Sequence, residues 1–472
     1  MEEVAQDYLN QLIRRSLVQV DFEFKGIFRS CRVHDMLREI IVSRSEELSF
    51  CLVSIQNYSS FKKIAQRLSI QNNINTPLQS ITSSQTRSIL ILGVDEVPNS
   101  FLATCFANFK LIKTMDFQGA PIDYIPKEVG NLFHLRYLSL RETKVHMLPK
   151  SIGKLHNLET LDLKRSLVSE LPAEINKLCK LRYLAAYIEN YDVERNIDSR
   201  RAVKIHNSIG CLQSLLKLVR IEASNAALIE ELGSLGQLWK LEISKLKRED
   251  GIVFCTALEK MNHLQYLRIS ATSEEVVLGL QSMSSPLLLQ SLVLSGRLEK
   301  LPEWISKLKS LVTIGLHWSR LKDDPLKVLQ ALPNLMFLRL HDGYEGEQLH
   351  IEGEGFQKLK FLGLGNLEGL NRLIIDEGAM PLLEQLDIGP SPQLKEVPSG
   401  IHHLQSLKVL KFYDMPIEFE LSLQPDNGPD FWKVKHIPSV VFRYRIQGEH
   451  YKTYKLGEAN SRGGEPKCPP HI

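Results

Sequence analysis

Apolar residues recur along the chain in short units of the form L-x-x-L-x-L, such as residues 135–140 and 158–163. The alternation within L-x-L predicts a short strand with one buried face. We call the second apolar residue of each unit its anchor, and the steps between anchors are 22 to 26 residues with a single step of 34. The thirteen anchors are Met115, Leu138, Leu161, Leu184, Leu218, Leu241, Leu267, Leu292, Ile314, Leu338, Leu362, Leu386 and Leu410, preceded by two weaker candidates, Leu68 and Leu90.

The segments between these strands carry a second pattern. Five units share P-x-x-[IV]-x-x-L-x-x-L, and the apolar spacing of three predicts a short helical segment packed on the strands. Thr143 and Ser166 follow the buried positions Leu140 and Leu163 by three residues, where a hydroxyl is expected to hydrogen-bond the turning backbone. No single unit buries its own apolar face. The pattern therefore predicts an α/β leucine-rich-repeat solenoid, a horseshoe of stacked units.

The step of 34 residues contains a polar, charged insertion at residues 191–201. One interpretation is a solvated loop on a rim of the solenoid. The other is a loop that contacts a partner, because loops on rigid scaffolds often carry recognition.

The first fifty residues follow a different pattern. Helical apolar periodicity covers residues 4–15, a strand is predicted at 17–20, and a hairpin over 21–30 returns at 31–33. A second helix is predicted from about Met36, with Asp35 placed to cap it and complement its dipole. This order is consistent with the end of a winged-helix domain, so the solenoid is expected to follow a partial winged-helix segment.

Composition narrows the class of protein. The 472 residues are 43% hydrophobic and 24% charged with a net charge of +3, which excludes disordered and collagen-like chains and does not indicate nucleic-acid binding. The sequence has no apolar run of about 20 residues, no secretory signal, and seven cysteines without metal or disulfide spacing. We therefore expect an intracellular protein with no transmembrane segment, no metal and no nucleic-acid partner.

Residues 4–17 and 31–40 closely resemble the winged-helix end of plant nucleotide-binding leucine-rich-repeat immune receptors, in particular the coiled-coil class of cereals. Val33-His34-Asp35 matches the family's methionine-histidine-aspartate motif with Val in place of Met, and residues 432–440 resemble the family's C-terminal end. The 472 residues contain no phosphate-binding G-x-x-x-x-G-K-[ST]. We therefore expect an N-terminally truncated fragment or shortened product without enzymatic activity.

The resemblance implies a function in disease resistance. The repeats would recognise a pathogen effector or a guarded host protein and regulate an ADP/ATP-dependent switch that leads to defence and hypersensitive cell death. His34 would contact ADP and Asp35 would hold the closed state, although without the phosphate loop His34 is also explained as a capping or core histidine. No cofactor is expected in this chain alone. Further implied partners are the receptor's own nucleotide-binding and coiled-coil domains, and the implied location is the cytoplasm or the periphery of the plasma membrane.

The alternative is a stand-alone cytosolic repeat adaptor that mediates protein–protein interaction without binding nucleotide. Under either interpretation we expect four regions: 1–50, the winged-helix part; 51–110, a linker and irregular first repeats; 111–425, the repeats; and 426–472, a cap and tail. A half-buried capping strand is predicted where Val440, Phe442, Tyr444 and Ile446 alternate with basic residues.

Residues that flank the buried leucines of each strand point away from the core. On the concave strand face of a solenoid they form the expected partner-binding surface, because curved solenoids bind there and Tyr and Arg carry much interface energy. The candidate residues are Tyr137, Arg141, Asp162, Lys164, Tyr183, Tyr187, Tyr266, Arg268, Phe337, Arg339, His341, Phe361, Lys411 and Tyr413.

Overall fold

Short parallel strands joined by helical or irregular connections make up most of the fold in a computed structural model of the chain. The structure describes residues 2–24, 27–48, 50–54, 66–72, 85–189, 197–206, 208–281, 283, 288–425, 427–446 and 450–456. Residues 191–196 of the predicted insertion and 457–472 of the predicted tail lie outside this description. The chain divides into two compact units, residues 1–188 and 189–472, which are described separately.

The first unit begins with the predicted helix, hairpin and helix. These elements are α1 (Glu2–Arg14), β1 (Val18–Phe24), β2 (Ile27–Val33) and α2 (Asp35–Glu47). β1 and β2 pair antiparallel, with Val18 opposite Val33. Helix α2 starts one residue earlier than predicted, because the carbonyl oxygen of His34 accepts the Arg38 N–H at 2.9 Å. Asp35 thus lies in the first helical turn, where its charge complements the dipole.

A ladder of parallel strands fills the rest of the first unit. Its elements are β3 (Cys51–Ser54), β4 (Arg67–Asn72), β5 (Ser88–Val94), α3 (Asn99–Asn108), β6 (Thr114–Asp116), β7 (Tyr137–Ser139), β8 (Thr160–Lys164) and β9 (Tyr183–Glu189). The anchors Met115, Leu138, Leu161 and Leu184 lie directly opposite one another on successive strands. All four are fully buried, which confirms their prediction.

The anchor of β5 was placed one residue too late by the sequence pattern. Ile89, and not Leu90, pairs with Leu68 on one side and Met115 on the other, and Ile89 is fully buried. Residues 89–92 are all apolar, so polar alternation does not mark which face is inward. Pairing with the neighbouring strands decides the register instead.

The second unit continues with the same architecture. Its strands are β10 (Arg200–Ala202), β11 (Lys217–Glu222), β12 (Lys240–Leu246), β13 (Tyr266–Ala271), β14 (Ser291–Ser295), β15 (Thr313–His317), β16 (Phe337–His341), β17 (Gln348–Ile351), β18 (Phe361–Gly365), β19 (Arg372–Ile375), β20 (Gln385–Ile388), β21 (Val409–Tyr413), β22 (Ser439–Ile446) and β23 (His450–Lys455). Its helices are α4 (Ala226–Leu232), α5 (Gly251–Glu259), α6 (Leu326–Leu329), α7 (Ile417–Ser422) and α8 (Phe431–Val434).

The strands of the second unit form one main ladder and a small second sheet. All nine predicted anchors from Leu218 to Leu410 lie opposite one another along the main ladder. β17 and β19 pair parallel in the second sheet. The predicted C-terminal strand is β22, which pairs parallel with β21 and antiparallel with β23. None of the described helices is long and apolar enough to cross a lipid bilayer.

The connecting segments take the predicted form. Short 3-10 helices cover Lys127–Asn131, Lys150–Lys154, Ala173–Lys177 and Glu303–Lys307, each preceded by a proline. The Thr143 hydroxyl donates to the Leu140 carbonyl oxygen at 2.7 Å, and the Ser166 hydroxyl donates to that of Leu163 at 2.8 Å. Both hydroxyl residues are buried, so these hydrogen bonds satisfy turn carbonyls that water does not reach.

The strand register predicts effects of very different size for two neighbouring substitutions. Leu161→Asp places a carboxylate in the buried anchor row, which costs about 3 kcal/mol or more or forces the group to stay protonated. Asp162→Ala removes a hydrogen bond from the Lys164 N–H and an ion pair with the Lys164 ammonium, worth about 1 kcal/mol. Thermal unfolding followed by circular dichroism should show a large drop only for Leu161→Asp. Equal drops would mean that the register is wrong.

Candidate functional site

Two tyrosines on either side of a threonine occupy one position of the strand face of the first unit. Tyr137, Thr160 and Tyr183 lie opposite one another on β7, β8 and β9, and all three are half-buried. Burial, reinforced by the negative charge of Asp116, raises the pKa of Tyr137. Its hydroxyl therefore stays protonated at neutral pH, and the two tyrosines present aromatic surface with a polar tip.

The charged residues on this face are largely neutralised within the chain. Lys164 and Asp162 form an ion pair at 2.9 Å, and Arg165 and Arg141 both pair with Glu142, at 2.9 and 3.3 Å. Burial acts to raise the pKa of Glu142, but these two guanidinium groups hold that pKa below its usual value. Charge on this face is thus arranged in fixed pairs, which would select a partner by complementarity.

Tyr187 differs from the other candidates of the first unit. It lies opposite Lys164 at an outward position of β9, yet only 9% of its surface is exposed. Strand alternation predicts the direction of a side chain but does not report what covers it. Tyr187 therefore offers little surface to a partner.

The second unit has three aromatic residues at one strand position, with Ser291 and Thr313 on the two strands between the first and the second. Tyr266, Phe337 and Phe361 occupy equivalent positions on β13, β16 and β18, and each is half-buried. The Tyr266 ring packs edge-on against Trp239 at 5.4 Å, and the exposed Arg339 guanidinium lies 5.1 Å above the Phe361 ring. These contacts hold the aromatic rings in place while leaving part of each surface accessible.

Lys411 and Tyr413 lie on β21, toward the C-terminal strands. Lys411 is opposite Asp387 in the ladder. Tyr413 contacts the Tyr451 ring edge-on at 5.6 Å, and the Arg443 guanidinium lies 5.7 Å from the Tyr413 ring centre. Both candidate side chains are half-buried, so their outer surface adds to the strand face.

Four of the sequence-predicted residues meet in one cavity of about 450 Å³ on the strand face of the second unit. They are Arg268, Arg339, His341 and Tyr413. Gly363 and Gly365 occupy outward positions on β18, where a side chain would otherwise reduce this space. A Cβ atom at residue 365 would lie only 2.8 Å from His341 Nδ1, so glycine is required for the observed packing.

Other residues of this cavity escaped the sequence analysis. They are Arg220, His317, Trp318 and Asp387, among others, whereas Arg200 belongs to the insertion at residues 191–201. Arg220 has a left-handed backbone (φ 62°) and is buried, and its Nη1 donates to the Arg200 carbonyl oxygen at 3.2 Å. The sequence feature that could have indicated this cavity is the presence of outward-facing glycines and outward-facing arginines on neighbouring strands. It becomes visible only when several repeats are compared.

The electrostatic environment of the cavity is positive. Burial, together with the positive charges of Arg268 and Arg339 and the neighbouring His341, lowers the pKa of His317 to about 3. Burial also lowers the pKa of Arg268, while Glu242 acts in the opposite direction. His317 is therefore neutral at physiological pH, and the arginines supply the charge.

The two residues of the methionine-histidine-aspartate-like motif lie outside this face. His34 and Asp35 are exposed at the start of α2, in the first unit. Their accessibility is compatible with contacts to a nucleotide held by another domain. Neither provides a phosphate cradle, since a carboxylate repels phosphate and the motif that builds such a cradle is absent from the 472 residues.

The depressed pKa of His317 predicts a specific pH dependence. In the unfolded chain this imidazole titrates near 6.5, so between pH 6.5 and about 3 the unfolded state binds more protons. Folding stability should fall as the pH falls through this window, by at most about 1.4 kcal/mol per pH unit more in wild type than in His317→Gln. Urea unfolding at several pH values measures the difference.

An exposed histidine provides the control for this titration. His146 lies on the surface of the first unit, so His146→Gln should retain the pH dependence of the wild type. Parallel stability curves for wild type and His317→Gln would show that His317 does not titrate as described.

Comparisons with known proteins agree with the architecture. A family model for the winged-helix domain of disease resistance proteins matches residues 1–41, and one for a leucine-rich repeat region matches residues 85–415. A solved structure of a leucine-rich repeat protein from Leptospira interrogans aligns with a TM-score of 0.50 at 17% identity, covering 83% of this chain and 94% of that one. At that identity the alignment supports the fold alone.

Curated relatives cover nearly the whole chain. The disease resistance protein RPM1 of Arabidopsis thaliana is 33% identical over 457 residues, which is 94% of this chain and 48% of that protein. RPP8 from the same plant is 28% identical, over 94% of this chain and 49% of its own length. The chain thus spans about half the length of these relatives. The chain therefore belongs to the leucine-rich-repeat family, and its homologues over nearly its whole length are plant disease resistance proteins.

Proposed function

We propose that this chain contributes the recognition surface of a plant immune receptor, and that its strand faces bind a pathogen effector or a guarded host protein. The main observation behind this proposal is that half-buried aromatic side chains occupy outward strand positions and are flanked by arginines. Such residues contribute much of the free energy of protein–protein binding. Homology to plant disease resistance proteins supplies the immune context.

The proposal includes a regulatory role for the first unit. Under this proposal the repeats restrain an ADP/ATP-dependent switch. Binding of a partner releases that restraint and starts defence and hypersensitive cell death. The nucleotide-binding domain of a full-length receptor would supply the phosphate loop, and that domain and the coiled-coil domain would be partners of this chain. Exposed His34 would contact the nucleotide and Asp35 would stabilise the closed state. We place this receptor in the cytoplasm or at the periphery of the plasma membrane and assign it no catalytic reaction of its own on its partner.

A second candidate is a stand-alone repeat adaptor that binds proteins without a nucleotide switch. The two candidates share the strand-face binding surface and differ only in the role of residues 34 and 35.

The binding surface is tested by alanine substitutions at Tyr137, Tyr183 and Tyr266. A two-hybrid screen against effector and host-protein libraries first supplies a partner. Each substitution should weaken binding about tenfold, since buried tyrosines at interfaces are worth about 1–2 kcal/mol, while melting temperature changes little. Calorimetry and thermal unfolding measure the two effects.

The matched controls are Glu303→Ala and Lys307→Ala, which change exposed residues of a connecting 3-10 helix. Neither should alter partner binding. If binding survives the triple tyrosine variant and is lost only when residues 191–201 are replaced, the inserted segment is the recognition surface and the strand-face proposal is wrong.

The switch role is tested by grafting the chain into a related full-length receptor. Asp35→Val removes a stabilising charge from the first turn of α2 and should release the closed state, giving cell death in leaves without an effector. Asp7→Val, which removes an exposed carboxylate from α1, should leave the graft quiet. Quiescence of the Asp35→Val graft, with normal protein levels, would favour the adaptor.

A further inference from the structure

The cavity on the strand face of the second unit has an excess of positive charge. Two of its arginines are partly neutralised: Arg200 lies 3.2 Å from Glu189, and Arg220 lies 3.6 Å from Glu242. The positive charges of Lys240, Arg268 and Arg220 hold the pKa of Glu242 below its usual value in spite of its burial. Glu189 and Glu242 are therefore both paired with arginines of the cavity.

Arg268 lies opposite Glu242 on the neighbouring strand and shares that carboxylate with Arg220 and Lys240, so its charge is only partly compensated. Arg339 lies opposite glycines on both neighbouring strands. Among the residues that the structure describes, no carboxylate lies within ion-pair distance of either guanidinium. Asp387, the other acidic residue of the lining, is two strands away from Arg339 in the ladder, or about 10 Å. It also accepts a hydrogen bond from the Gln385 amide at 2.7 Å. Two positive charges therefore face the same space.

The volume and lining of the cavity suit a small molecule. Its volume of about 450 Å³ lies within the range of roughly 300–1,000 Å³ found for ligand pockets. One wall is the segment that carries Ser199 and Arg200, which is held by the Arg220 guanidinium, and Trp318 and Tyr413 contribute to the lining elsewhere. Gly363 and Gly365 expose backbone on the floor, and the Ser270 and Ser295 hydroxyls add polar groups.

We propose that this cavity binds a small organic phosphate, whose phosphate group pairs with the guanidinium groups of Arg268 and Arg339. A phosphate monoester carries a charge of about −1.5 to −2 at neutral pH, which is complementary to the excess positive charge of the cavity. The planar guanidinium fork donates two parallel hydrogen bonds to phosphate oxygens. The remaining volume accommodates an uncharged organic body beside Trp318, Tyr413 and the glycine floor. This site shares Arg268, Arg339, His341 and Tyr413 with the strand face proposed above to bind a protein partner, and it is tested separately with small-molecule probes.

Binding is tested on the full chain by calorimetry in low salt, with inorganic pyrophosphate and glucose 6-phosphate as probes. Both should bind, and each of Arg268→Gln and Arg339→Gln should weaken the affinity at least tenfold, with no detectable binding in the double variant. Arg372→Gln removes an exposed arginine from β19, outside the cavity, and should retain wild-type affinity within about twofold. Arg339 is itself exposed, so its variant reports on binding even if Arg268→Gln does not fold.

A capped Asp-Glu-Asp-Glu peptide distinguishes phosphate recognition from binding of an acidic protein segment. Tighter binding of this peptide than of either phosphate probe would overturn the proposal in favour of a protein partner. Absence of binding by both phosphate probes at about 10 mM would overturn it as well, as would unchanged affinity in the double variant. None of these results bears on Tyr137, Tyr183 and Tyr266, whose own test uses a protein partner.

Discussion

The structure depends on one repeated contact, the stacking of each strand's anchor residue directly on the anchors of its neighbours. Within each unit the parallel strands pair without offset at these positions, and residues such as Leu138, Leu161, Leu241 and Leu362 are fully buried. Because side chains alternate along a strand, the register that buries this column also presents the flanking residues outward. Stability and the functional surface therefore arise from the same pairing.

The sequence was sufficient to predict those parts of the fold in which apolar and polar positions alternate clearly. Leucine spacing located the thirteen anchors, and the prolines located the short 3-10 helices before Leu132, Leu155 and Leu178. It placed the anchor of β5 wrongly because residues 89–92 are apolar on both faces. There the register depends on pairing with Leu68 and Met115, which one strand's sequence does not contain.

The candidate site was predictable only in part, for a related reason. Alternation identified Arg268, Arg339, His341 and Tyr413 as outward-facing, and all four line the same cavity. The cavity itself requires glycines on β18 and arginines from β10 and β11, which are far apart in sequence. Exposure also depends on neighbours, so Tyr187 points outward by alternation and is nevertheless buried.

The central claim is that the strand faces, rather than the connecting segments, form the recognition surface. Hydroxyl-radical footprinting of the chain with and without its protein partner tests it directly, because oxidation of each aromatic side chain reports its exposure. The account predicts protection of Tyr266, Phe337 and Phe361 in the complex, with Phe133, on a connecting segment, oxidised equally in both states. Protection of Phe133 with unchanged oxidation of the strand-face aromatic residues would contradict it.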